Sequence, residues 1–65
     1  MNKKMELLLD ILLQQDDYLT ASQLAQIIGV TERSIRNYVR NLNGNQYQEP
    51  LIIATNAGYK IQKAI

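Results

Sequence analysis

A mainly α-helical domain closed by a small β-hairpin is the fold class this sequence predicts, on three observations. Apolar residues recur at helical spacing in three stretches ahead of residue 44. Thr20 and Thr31 stand where the second and third stretches need a capping hydroxyl, and Gly29 lies between them. Beyond Pro50, which blocks further helix, Leu51-Ile52-Ile53-Ala54-Thr55 and Tyr59-Lys60-Ile61-Gln62 flank the turn residues Asn56-Ala57-Gly58. With 65 residues and no repeat, low-complexity tract or linker, residues 1–65 are expected to form a single domain.

The first helix is expected over about 3–15. Straight-chain residues dominate it, and neither Gly nor Pro interrupts. Lys3, Glu6, Asp10 and Gln14 make its polar stripe. Met5, Leu8, Leu9, Ile11 and Leu12 form an apolar arc broader than one small partner requires, with Leu7 and Leu13 on its flanks. Asp16–Asp17 reads as a solvated loop or turn rather than a metal site.

The second helix, about 21–28, opens with a capping box. The Thr20 hydroxyl accepts from the backbone three residues on, and Gln23 reaches back. Leu19 and Leu24 form the matching hydrophobic staple, and Ala21, Leu24, Ala25 and Ile28 give one buried stripe. Gly29 supplies the left-handed stop. Thr31 caps the third helix, about 32–43, with Val30 and Ile35 as a second staple. Two short helices joined by Gly29-Val30-Thr31, with Ala25 small enough for a close crossing, make a helix-turn-helix by turn chemistry. Asn43-Gly44-Asn45 ends the third helix, with Gly44 as its left-handed cap. The hairpin over about 51–62 must pack its apolar face on the helices, since a lone hairpin is marginal in water.

Composition excludes much. Without cysteine there is no disulfide, thiolate zinc site or cysteine nucleophile, and without histidine the commonest general base and metal ligand are missing. No acid–base pair stands at a sensible spacing, so neither catalytic nor metal-binding residues nor a cofactor are expected. The greasiest stretch, residues 7–13, is far short of the ~20 residues of a membrane span. The expectation is a soluble intracellular module with no membrane partner.

Net charge is only +1, yet it is unevenly placed. Residues 1–32 set two lysines against five carboxylates, and residues 33–65 set five cations against Glu49 alone. On the third helix, Ile35, Tyr38, Val39 and Leu42 share an arc of about 100°, while Arg33, Arg36, Asn37, Arg40 and Asn41 occupy the opposite side. From Arg33 onward every charge there is positive, without the Glu–Lys pairs of an ordinary solvent face. Arginine can donate two bonds to guanine and asparagine can bond twice to adenine, so this face suits a DNA major groove. The start of the second helix, with Ser22 and Gln23, suits a phosphate, and a simply capped helix end would look identical in sequence. Asn56 and Lys60 lie at or near the hairpin tip, where one cation can touch the backbone; Tyr59 and Ile61 read as core.

These residues carry a family resemblance. The run through Tyr18-Leu19-Thr20, Gln23-Leu24-Ala25, Ile28-Gly29-Val30-Thr31 and Arg33-Ser34-Ile35-Arg36 to Leu42 resembles a bacterial winged helix-turn-helix. Gly58-Tyr59-Lys60-Ile61 resembles its second wing strand. The nearest group is the DeoR-type and biotin-repressor-like domain at the amino terminus of phosphotransferase-regulated and Mga-like transcription regulators. The resemblance implies a third helix in the major groove, with Thr31, Arg33, Ser34, Arg36, Asn37 and Arg40 at the DNA. Tyr38 and Ala57 depart from that group, which usually has a charged residue at the first position and a more basic or glycine-rich tip at the second.

The reading is therefore sequence-specific binding of double-stranded DNA by the amino-terminal domain of a bacterial cytoplasmic transcription regulator. A sensor or oligomerisation region downstream in the same protein is expected, and the isolated chain is expected to be monomeric. The alternative is a winged-helix protein–protein adaptor that binds no DNA, which the broad apolar arc of the first helix favours and the arginine face opposes.

Overall fold

The computed structural model describes residues 2–44 and 51–62. Among them, three helices precede a two-stranded antiparallel sheet: α1 (Lys3–Gln14), α2 (Ala21–Ile28), α3 (Glu32–Asn43), β1 (Ile52–Thr55) and β2 (Gly58–Ile61). This is the mainly helical, winged helix-turn-helix architecture expected. The parts assigned to Asn45 and Pro50, and the charges of Glu49 and Lys63, lie outside the described residues.

Each helix start has a local cause. The Asn2 side chain accepts from Lys4 N at 2.7 Å and starts α1, which ends at Gln14, with Gln15 already extended. At α2 both halves of the capping box form: Gln23 N donates to Thr20 Oγ1 at 3.1 Å, and Thr20 N donates to Gln23 Oε1 at 2.9 Å. Gly29, at φ 85°, turns the chain left-handed as it leaves α2. Thr31 Oγ1 then accepts from Ser34 N at 3.1 Å and starts α3.

The end of α3 differs from expectation. Gly44 has φ −82° and is not a left-handed cap. Its N–H still donates to Arg40 O at 2.8 Å, so the chain stays right-handed through the last helical bond. What glycine supplies is clearance, since a Cβ there would stand 2.9 Å from Arg40 O.

The core joins Leu8 and Leu12 of α1, Leu24, Ala25 and Ile28 of α2, Ile35, Val39 and Leu42 of α3, and Ile52 and Ile61 of the hairpin. Leu19, Val30, Tyr38 and Tyr59 pack against it from the edges. In the hairpin, Ile52 pairs with Ile61, Ile53 with Lys60, Ala54 with Tyr59 and Thr55 with Gly58. Neither Asn56 nor Ala57 has positive φ; the reversal of sign falls on Gly58, at φ 124°.

Two fastenings hold this wing to the helices. Leu19, ahead of α2, bridges to Tyr59: Leu19 N donates to Tyr59 O at 2.9 Å, and Tyr59 N to Leu19 O at 2.7 Å. Leu19 thus serves as a one-residue third strand beside β2. On the other side, the Asn43 amide is bonded to the backbone of Ile52 in β1. The approach of Leu19 requires Gly58, because a Cβ at that position would collide with Leu19 O and Thr20 N.

Candidate nucleic-acid interface

The outer face of α3 follows from its inner one. Burying Ile35, Val39 and Leu42 turns Arg33, Arg36, Asn37, Arg40 and Asn41 to solvent, all of them exposed. The three arginines therefore share one side of one helix. No buried polar or charged residue is found among the described residues, so this charge is all at the surface.

The face is not purely cationic. Arg36 Nη2 stands 3.4 Å from Glu32 Oε1, an i,i+4 ion pair with both side chains exposed. The all-positive description from Arg33 onward stops one residue short of this partner. The spacing that would have revealed it was present in the sequence.

Glu32 and Arg36 line an open cleft of about 290 Å³ between the start of α2, the first turns of α3 and the wing tip. Ser22, Ala54, Asn56 and Tyr59 line it too. The structure thus brings Ser22, Arg36 and Asn56 together, from three separate elements. Gln23, at the start of α2, has its side-chain oxygen committed to the capping box, which leaves the NH2 group as its outward donor. Thr31 and Ser34 are engaged with each other, the Thr31 hydroxyl donating to Ser34 Oγ at 3.1 Å. Ser34 is half-buried, so of the α3 positions singled out it is the least presented.

Lys60 is not brought into that cleft. Alternation along β2 puts it on the opposite side of the hairpin from Tyr59, paired with Ile53. There its Nζ lies 5.5 Å from the centroid of the Tyr18 ring, beside a second hollow lined by Asp16, Tyr18, Ile53 and Gln62. Such a cation–π contact is worth about 0.5–1 kcal/mol at exposed sites. Nothing in the local sequence pairs residue 18 with residue 60; the contact follows from the Leu19–Tyr59 bridge, which sets their neighbours side by side.

No group of three or more acidic residues able to hold a metal ion occurs among the described residues. No curated protein matches the chain. A family model described as an HTH domain matches residues 4–60, from the first turn of α1 to the second wing strand. With helices α2 and α3 joined at Gly29, a wing folded against them and that match over most of its length, the chain belongs to this family of DNA-binding helix-turn-helix domains.

Proposed function

We propose that this domain binds double-stranded DNA in a sequence-specific manner, with α3 lying in the major groove. The observation that carries the reading is the exposed side of α3, where Arg33, Arg36, Asn37 and Arg40 stand opposite the buried Ile35, Val39 and Leu42. Arg36 and Asn37, near the middle of the helix, contact base edges; Thr31, Arg33, Ser34 and Arg40 flank them. Ser22 and Gln23 at the start of α2 meet one phosphate. Asn56 meets the backbone from the wing tip, and Lys60 is an outlying cation.

The resemblance to DeoR-type, biotin-repressor-like, phosphotransferase-regulated and Mga-like proteins supports a place at the amino terminus of a bacterial transcription regulator. A sensor or oligomerisation region would follow in the same protein. Cytoplasmic action and a non-catalytic role accord with that reading. Among the described residues, no helix is long and apolar enough to cross a membrane.

Titration of the chain with random duplex over a range of salt, followed by amide NMR, tests the reading. DNA binding moves the Ser34–Arg40 amides, and the affinity falls as salt rises. The adaptor reading draws on Leu7, Leu13 and Ile27, which are 42%, 55% and 59% exposed. A flat titration at Ser34–Arg40 would favour it.

A further inference from the structure

Glu32 begins α3, and its carboxylate meets the Arg36 guanidinium one turn later, at 3.4 Å. Among the described residues it is the only acid on α3 and the only acid lining the cleft that also holds Ser22 and Asn56. An exposed i,i+4 pair adds little stability, and a carboxylate in the first helical turn suits the dipole. Neither effect accounts for placing the one negative charge against the middle arginine of the outer face.

A surface built only to neutralise phosphates is weakened by such a charge, which repels the backbone and holds Arg36 away from it. A surface that reads bases gains in two ways. A guanidinium contacted from one side has its donor fork biased toward one orientation, which favours the two bonds to guanine O6 and N7. An ionised carboxylate is an acceptor only, so it matches the N4 amine of cytosine and is repelled by O6 and N7 of guanine and O4 of thymine. The carboxylate and the guanidinium lie 3.4 Å apart, about one base-pair step of ~3.4 Å. The two groups therefore reach the same or adjacent base pairs.

We propose that Glu32 is a specificity-determining residue of this interface. It holds Arg36 for a guanine, accepts from the N4 amine of a cytosine in the same or the adjacent pair, and disfavours duplex that lacks this arrangement. The inference rests on α3 entering the major groove, but it concerns discrimination rather than binding.

Selection of duplexes from a random pool by the 65-residue chain, repeated with Glu32→Gln, Glu32→Asp and Arg36→Ala, tests it. The unmodified chain enriches a G·C pair that Arg36→Ala and Glu32→Gln both lose. Glu32→Gln binds unselected duplex roughly threefold to tenfold more tightly, because a repulsive charge is gone. Glu32→Asp keeps the charge but is too short to hold Arg36, so its affinity for unselected duplex stays at the original value while the G·C preference relaxes. Enrichment of the same sequence by Glu32→Gln and by the unmodified chain overturns the inference. A chain that binds duplex but enriches no sequence also overturns it, while leaving DNA binding intact. Absence of any duplex binding at low salt removes the DNA reading itself.

Discussion

The side-chain amide of Asn43 and the backbone of Ile52 exchange two hydrogen bonds: Asn43 Nδ2 donates to Ile52 O at 2.9 Å, and Ile52 N donates to Asn43 Oδ1 at 2.8 Å. The last residue of α3 thereby acts as a backbone amide would in a neighbouring strand. It covers the outer edge of β1 at the point where Ile52 enters the core. Asn43→Ala leaves both groups of Ile52 without that partner in a part-buried site, at a cost of about 1–3 kcal/mol. Thermal unfolding measures the loss, and faster exchange of the Ile52 amide locates it. Unchanged exchange there would show that the clamp contributes nothing.

The two positive-φ glycines should respond differently to substitution. At Gly29 nothing lies within 4 Å of an added Cβ, so the strain is purely that of φ 85°. Gly29→Val costs more than about 1 kcal/mol, whereas Gly29→Asn costs less. At Gly58 even Ala meets Leu19 and Thr20 backbone, so Gly58→Ala loses the Leu19–Tyr59 bridge as well. In a domain of this size each kcal/mol lowers the Tm by about 4–8 °C. Gly58→Ala is expected to melt below Gly29→Ala; the reverse order would mean that the wing moves aside freely.

On DNA, Arg36→Ala should cost about 1–3 kcal/mol on a selected site and relax preference at one base pair. Lys60→Ala leaves sequence preference unchanged. Because Lys60 faces Tyr18, its effect on the salt slope is expected to be smaller than the unit change of a direct phosphate contact. Fluorescence anisotropy at several salt concentrations separates the two. A full unit lost with Lys60→Ala would put the far side of the wing on the DNA backbone.

Few cations face outward from α3, and non-specific binding by so few contacts is weak, with Kd around 10⁻⁴–10⁻⁶ M at physiological salt. The isolated chain is expected to sediment as a monomer. Fusion to an unrelated dimerisation domain should tighten binding to a repeated half-site by at least ~10²-fold through effective concentration. A tight dimer of the 65-residue chain in analytical ultracentrifugation would contradict this and point to Leu7 and Leu13 as an interface.

What was legible in the sequence was local. Thr20 with Gln23, Thr31 with Ser34, and Gly29 all act within four residues of themselves, so spacing alone exposes them. Gly44 shows the limit of that logic: a glycine after a helix marks a stop without stating the hand of the backbone. The α3 face could be drawn because its apolar positions name the buried side. Asn43 with Ile52, Leu19 with Tyr59 and Tyr18 with Lys60 join residues far apart in the chain, and no local pattern announces them. For that reason Lys60 could be assigned to the wing but not to a side of it.

The Leu19–Tyr59 bridge also bears on the order in which the molecule assembles. It joins the residue just before the capping box of α2 to one at the heart of the last strand, so the helix-turn-helix lies wholly inside the loop it closes. Closing so long a stretch of chain is entropically slow, whereas α2 and α3 meet across a single turn. The two helices should therefore dock early and the wing arrive last, after its anchoring site beside Thr20 has formed. Substitutions at Gly58 would then chiefly speed unfolding, and those at Ile35 would slow folding.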